Sequence, residues 1–495
     1  MKRIRFIGGP ALLALLCGLL SNCTDKNTVG PHANRPPETH LFLQFADTLQ
    51  LPGETASMQV LHWSGDDPDG EIVGYEYNWD FDSLWVFTTD VMDTFYVPIT
   101  QPQDTFTFQI RAVDNGGLKD PSPDRLSFPI RNSPPIVSFP LDFVQRYSRA
   151  TYNGFSYFSI GWSSSDPDGD PTITGYEWYL ADSSFSPWDS ISGGIYYWNQ
   201  ATLDTMTWGL LDSLATLKIF SGLPPGSYRF FLRCRDVADA YSNVIFYPEK
   251  VAGAAWNVMP VSGTVLFVDD DRYASDIDSF IPQSLTQIYG SDGFSTWRTI
   301  DRISYYPRDI EETLKLFEKV VWHGGSYPHF REAGSAISNF IASGGCLLAF
   351  STQRSTEDTT IYPFMPVDSI RTPNIGRSFQ ADKVDSSFDG NVLPTEYPDS
   401  LSSSGPDPFP QYPIQDSYGI SPGSPPALIP LPVDALYTLS SPYTGLMDTV
   451  AVRYPSFSIG PARIIYFSMQ VYLCSAQLRD LLEFILEEEF ANAGR

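Results

Sequence analysis

The chain has 495 residues, 42% hydrophobic and 14% aromatic, with 31 basic against 58 acidic side chains and a net charge of −27. That apolar mass suffices for more than one packed core and excludes a disordered chain as the default. Without a cluster of Lys and Arg, the acidic balance excludes a nucleic-acid-binding face and attraction to anionic lipid headgroups. Five cysteines with no Cys-x-x-Cys spacing, and five histidines, exclude a disulfide framework and a structural zinc site.

In chain order, Lys2, Arg3 and Arg5 precede an apolar stretch over 6–20, broken once at Gly8-Gly9-Pro10. This is the order of an export signal, and the stretch is too short to cross a bilayer comfortably as a helix. Leu20-Ser21-Asn22-Cys23 follows. It resembles the lipobox of bacterial lipoproteins, with Asn22 standing where that motif has Gly or Ala. The resemblance implies a signal peptide over 1–22, lipidation of Cys23, and contact with the membrane through an N-terminal lipid. An ordinary secretory signal cut nearby is the alternative. Thr24 in place of Asp after the cysteine points to the outer membrane or cell surface. Residues 23–37 are polar and carry Pro and Gly, as a linker does.

Two segments about a hundred residues apart repeat one order of features. The first is Trp63-Ser64-Gly65-Asp66-Asp67-Pro68-Asp69-Gly70, then Gly74-Tyr75-Glu76-Tyr77. The second is Trp162-Ser163-Ser164-Ser165-Asp166-Pro167-Asp168-Gly169, then Gly175-Tyr176-Glu177-Trp178. Further on, 108–114 with Ile110, Arg111 and Asp114 answers 230–236 with Leu232, Arg233 and Asp236. The alternation of apolar and polar residues predicts strands, and Asp-Pro-Asp-Gly predicts a turn, since Pro sets φ, Asp bonds local backbone and Gly accepts φ > 0.

These residues resemble fibronectin type III domains: a Trp near the end of the second strand, a Tyr in the third, and an Arg-bearing sixth strand. The resemblance implies two all-β fibronectin/immunoglobulin-like sandwiches, over 38–131 and 134–258, joined at Asn132-Ser133-Pro134-Pro135. It also implies that Tyr228, after Gly222-Leu223-Pro224-Pro225, bonds back to its own loop, whereas the first copy has Phe106 there. Residues 182–214 are longer than their counterpart and predict an elaborated loop or an extra hairpin.

After Pro260 the pattern becomes α/β: strands over 264–268, 319–322 and 346–350, helices near 279–289, 310–318 and 333–342, a late strand over 462–467 and a helix over 475–490. Such alternation predicts a doubly wound parallel sheet over 263–495, with a Pro-, Ser- and Asp-rich irregular insertion at 354–440. Val265 to Asp271, Val320-Val321-Trp322-His323-Gly324-Gly325 and Gly344-Gly345-Cys346-Leu347-Leu348-Ala349-Phe350-Ser351 resemble the class I glutamine-amidotransferase-like, flavodoxin-type domains. That family carries its nucleophilic Cys on a tight turn after the third strand. Here Ser351 stands there, between Phe350 and Thr352, with Ala349 and Gln353 where glycines belong. Cys346 opens the strand and so lies at the sheet edge opposite His323. The resemblance therefore implies the fold without the catalytic residues, with Ser351 and His323 the only surviving candidate pair.

Two acidic groups remain. Asp67 and Asp69, and Asp166, Asp168 and Asp170, place carboxylates on tight turns and are candidates for calcium, the one cofactor considered; the plain turn is the competing reading. Asp269-Asp270-Asp271 ends the first strand of the α/β region, where such folds place ligands, and reads either as helix-capping carboxylates or as a cation site. His323 and His329 flank Gly324-Gly325 and are candidate polar groups at the same edge. Together these features predict a non-catalytic envelope lipoprotein that binds a protein or glycan partner and no nucleic acid, with an amidotransferase-related hydrolase as the alternative.

Overall fold

In the computed structural model, residues 33–491 are described apart from 44–57, 81, 98, 144–150, 193–194, 249–253, 272–279, 300–302, 325–328, 352–360, 362, 372–378, 382, 387–396, 399, 403–413, 418, 441–446, 470 and 472–474. Leu20 to Cys23, on which the expected lipid anchor falls, lie outside the described residues. The chain divides into two compact units, Met1–Asn132 and Ser133–Arg495.

The first unit is a β-sandwich. Strands β1 (Glu38–Leu43), β2 (Met58–Asp66) and β5 (Met92–Tyr96) form one sheet in the order β1-β2-β5. Strands β3 (Ile72–Trp79), β4 (Val86–Thr88), β6 (Gln103–Asp114) and β7 (Asp124–Arg131) form the other, in the order β4-β3-β6-β7. Alternation along each strand turns Leu61, Trp63, Tyr75, Trp79, Phe108 and Ile110 inward as one core. The Trp63 indole donates to the Asp90 carbonyl at 2.7 Å, so its one polar atom is satisfied within the core.

The second unit begins with the duplicated sandwich. Strands β8 (Ile136–Ser138), β9 (Thr151–Gly154), β10 (Phe158–Gly161), β11 (Ser163–Ser165), β12 (Ile173–Asp182), β13 (Trp188–Ser192) and β14 (Ile195–Trp198) lead to helix α1 (Gln200–Thr205). Then come β15 (Gly209–Asp212), β16 (Leu217–Phe220), β17 (Gly226–Asp236), β18 (Ile245–Tyr247) and β19 (Ala255–Val258). The main sheet runs β15-β12-β17-β19-β9, with β9 parallel to β19. The elaboration after β12 is the hairpin β13-β14 followed by α1. It lays Trp188, Leu203 and Met206 over Phe231 and Phe246 on the outer face, as a second small core.

The duplication extends to single side chains. Glu76 faces Arg111 across β3-β6, and Glu177 faces Arg233 across β12-β17. Asp114 and Asp236 are both buried at the ends of their strands, each accepting two backbone N–H bonds from the next turn. The Tyr228 hydroxyl donates to the Pro224 carbonyl at 2.8 Å, the corner bond expected of the second copy, while Phe106 is packed in the core of the first.

The α/β part follows without a break in packing: β20 (Val265–Asp270), α2 (Phe280–Tyr289), β21 (Phe294–Arg298), α3 (Pro307–Leu314), β22 (Lys319–Gly324), α4 (Phe330–Ala342) and β23 (Cys346–Ser351). The inserted segment carries β24 (Val367–Arg371), β25 (Phe379–Ala381), β26 (Lys383–Ser386), β27 (Ser400–Ser402), β28 (Ile414–Ser417), β29 (Gly419–Pro422) and β30 (Asp434–Ser440). The chain closes with β31 (Met447–Tyr454), β32 (Ile464–Phe467), α5 (Ser475–Phe484) and a π-helical turn, Ile485–Glu489. Five strands are parallel, in the order β21-β20-β22-β23-β32. Helices α2 and α5 cover one face, α3 and α4 the other.

One expectation is corrected. The sheet is mixed: β31 is antiparallel to β32, β30 and β26 continue beyond it, and these strands close an edge that a purely parallel sheet would leave open. Within the described part of the insertion, β26 joins β30 and β27, β29 pairs with β24 and reaches β31, and β25 pairs with β28 as a separate two-stranded sheet. Arg453 anchors this region. It is buried, ion-paired with Glu489 at 2.6 Å and stacked 4.0 Å from the Phe457 ring centroid, which ties β31 to the terminal helix.

Candidate functional site

Among the five parallel strands the order is second-first-third-fourth-fifth, so crossovers leave β20 and β22 in opposite directions. The crevice outside their carboxyl ends is where a doubly wound sheet accepts ligands. The residues delivered there are Asp269 and Asp270 from β20 with Asp271 just after it, His323 from β22, Ser351 from β23, and His329 at the N-terminus of α4.

Strand alternation sorts them by face. In β22, Val320 and Trp322 pack with α3 and α4 while Val321 packs with α2 and α5, so His323 shares the face of Val321. In β23, Leu347 and Ala349 lie on the α3/α4 face, and Ser351 shares it. Ser351 and His323 are thus on opposite faces, one register step apart, with His323 opposite Phe350 and Ser351 opposite Gly324. The Ser351 hydroxyl is hydrogen-bonded to the Tyr466 hydroxyl at 2.9 Å and is buried. The candidate dyad is not assembled. Cys346 lies opposite Lys319, at the other end of the same strands, and burial pushes its thiol pKa up.

On the α3/α4 face the edge holds a different couple. The Asp270 side chain is buried and both its oxygens are engaged: Oδ1 accepts from Thr299 Oγ1 at 2.9 Å and meets His329 Nδ1 at 2.5 Å. Oδ2 accepts from Trp322 Nε1 at 3.0 Å and from the His329 backbone N–H at 2.7 Å. A carboxylate fixed by three further contacts orients the imidazole it touches, and the His329 side chain keeps 21% of its surface exposed. On the α2/α5 face, Arg298, Asp269 and His323 occupy one register row across three strands. Burial raises the Asp269 carboxyl pKa, opposed by Arg298 at 3.6 Å. His323 is held below its ordinary value by burial, against the pull of Asp271 and Asp270.

Asp269, Asp270, Asp271, His323, His329 and Ser351 are legible in the sequence one by one, whereas Arg298, Thr299 and Tyr466 carry no signal there. The Asp270–His329 pair was missed because they lie 59 positions apart and only the strand register brings them together. The spacing signal was the ending of two adjacent parallel strands in polar residues.

In the Asp-Pro-Asp-Gly turns the carboxylates accept backbone N–H bonds, some from within the turn and some from Arg35 and Ser133 ahead of each sandwich. Asp67 Oδ1 accepts from the Asp69 N–H at 3.1 Å, and Asp69 accepts from the Arg35 N–H at 3.2 Å. Asp166 Oδ1 accepts from the Asp168 N–H at 2.8 Å, Asp170 from the Asp166 N–H at 3.1 Å, and Asp168 from the Ser133 N–H at 2.5 Å. Burial raises the Asp166 pKa. Among the described residues no group of three His, Cys, Asp or Glu is placed to hold a metal ion. No helix among them is long and apolar enough to cross a membrane.

No protein-family profile and no curated protein matches the chain. Solved structures give partial likenesses. Fibronectin(III)-like modules of CbhA from Clostridium thermocellum are 14% identical, covering 42% of this chain and 87% of theirs, with a TM-score of 0.17. A two-domain fibronectin type III segment of chicken tenascin is 14% identical over 39% of this chain and 91% of its own, with a TM-score of 0.20. A thua-like protein from Bacteroides uniformis is 15% identical, covering 49% and 96%, with a TM-score of 0.30. At these scores the likenesses are descriptive. The architecture of two fibronectin/immunoglobulin-like sandwiches and an α/β domain rests on the sheets themselves.

Proposed function

We propose that this chain is an exported, non-catalytic envelope protein, lipid-anchored at Cys23 on the outer membrane or cell surface. Its fibronectin-like sandwiches present an amidotransferase-type α/β domain for binding or assembly. One observation carries the binding part: at the switch point of the sheet, buried Asp270 holds the part-exposed His329 imidazole in a fixed orientation. The surrounding Asp269 and Asp271 carboxylates disfavour an anionic ligand, so the protein or glycan partner contributes hydrogen-bond donors. Ser351, turned to Tyr466 on the face away from His323, supports binding over the hydrolase alternative.

The test is recovery of partners from detergent-solubilised membranes with the wild-type chain and with His329→Ala. The reading expects at least one partner to be lost from the variant; identical recovery defeats it. The hydrolase alternative has a separate signature, esterase or peptidase turnover abolished by Ser351→Ala. For the anchor, Cys23→Ser is expected to move the protein from the detergent phase to the soluble phase, and unchanged membrane association rejects the lipid.

A further inference from the structure

The second sandwich and the α/β domain meet across a buried seam with one carboxylate at its centre. Asp309, in the first turn of α3, has no exposed surface. It crosses to the sandwich strand β10, accepting from the Ser159 N–H at 2.8 Å and the Ser159 hydroxyl at 2.6 Å. Around it, the Tyr152 hydroxyl bonds the Ser304 hydroxyl at 2.6 Å, Trp297 Nε1 donates to the Asn153 carbonyl at 3.1 Å, and Phe155 packs edge-on against Trp297 and Phe317. Gly161 approaches Tyr306 so closely that a Cβ there would collide with the phenol oxygen.

We propose that Asp309 is a proton-dependent latch: with its carboxyl protonated the sandwich and the α/β domain hold together most tightly, and with it ionised the seam opens more often. The inference concerns how the α/β domain is held and stands apart from what its crevice binds. Geometry makes the latch possible, because a dry carboxylate shared by two packed bodies can regain water only by separating them. Few charges face it. Arg308 on the same helix draws its pKa down, which the desolvation outweighs. Tyr152 from β9 and Tyr306 from the preceding loop face it as neutral phenols, their own pKa values pushed up by burial. Asp142 is engaged by the Tyr305 hydroxyl. From α4, Asn339 bonds Glu311, which also pairs with Lys315, further along α3.

Burial lifts the Asp309 pKa from 3.8 to about 6, against the two Ser159 bonds. A pKa raised on closing means that the closed state binds the proton more tightly, so the favourable contribution is complete below 3.8 and fades as pH rises through about 6. Between about pH 5 and pH 7 the ratio of open to closed seam is therefore expected to grow about tenfold.

Hydrogen exchange at the Ser159 amide of the full chain, corrected for intrinsic exchange, reads this opening directly. Wild type should show the tenfold rise. Asp309→Asn, which keeps one acceptor and one donor as the protonated acid does, should show none. Carboxyl-carbon NMR guards against a folding defect in that variant: the wild-type Asp309 midpoint should lie near 6, and Ser159→Ala, by removing a donor to the ionised form, should move it higher. A wild-type midpoint in the ordinary carboxylate range, or the same pH response in wild type and Asp309→Asn, overturns the latch.

Discussion

The two sandwiches carry one signature, yet the first closes by itself at Asn132 while the second shares its packing with the α/β domain. Inside, they match: Trp63 and Trp162, Tyr75 and Tyr176, and Phe108 and Phe230 fill the same positions. The difference lies on the outer side of one strand. Aligned on the Trp, Ser159 and Gly161 of β10 correspond to Val60 and His62 of β2. Val60 and His62 remain half-buried, and the His62 ring stacks on Phe42. Ser159 instead offers two donors to Asp309, and Gly161 leaves room for Tyr306. The inward-facing pattern makes the sandwich, and these outward-facing positions, with Tyr152, Asn153 and Phe155, make the seam. A duplicated module acquires a mount while its Trp, Tyr and Phe core positions stay the same.

The comparison can be broken most forcibly at Phe155, which belongs to the core shared with α3 and β21. Phe155→Ala should cost about 3–5 kcal/mol in the unfolding of the second unit, read by denaturant titration, with the first unit unaffected. An effect under about 1 kcal/mol would mean that the seam contributes little beyond contact. Gly161→Ala sharpens the point. The new methyl meets the Tyr306 hydroxyl and should destabilise the second unit by about 1–3 kcal/mol, whereas His62→Ala at the matching position should change thermal stability little. Tyr228→Phe removes the corner bond and makes the second copy resemble the first; about 1 kcal/mol is expected from calorimetry. The smallest effect is expected from calcium. Since the Asp67 and Asp166 turns already use carboxylates on local N–H groups, melting midpoints with calcium and with chelator should coincide, and a rise with calcium would restore the metal reading.

The legible part of the candidate site followed the same rule as the sandwiches. Asp269 to Asp271 and His323 were visible because a parallel strand announces its own end, an apolar run stopping in polar residues. Ser351 was visible as the occupant of a position, and its partner was not. Period-two alternation turns it from His323, and counting each strand separately cannot reveal the relative phase of two strands. His329 needed still more, because its contact with Asp270 joins two residues 59 positions apart in the chain.

What the amino-acid order determined alone was local and periodic. The Trp, Tyr and Asp-Pro-Asp-Gly spacing specifies the strands and turns of both sandwiches, and the later alternation of apolar runs specifies an α/β sheet, since burial period and turn chemistry act over a few residues. Tertiary structure decided the rest. It set the antiparallel strands that close the sheet, the pairing of Asp270 with His329, and the burial of Asp309 against Ser159. The last two join groups 59 and 150 positions apart in the chain, through hydrogen bonds whose strength depends on water being excluded from both sides at once.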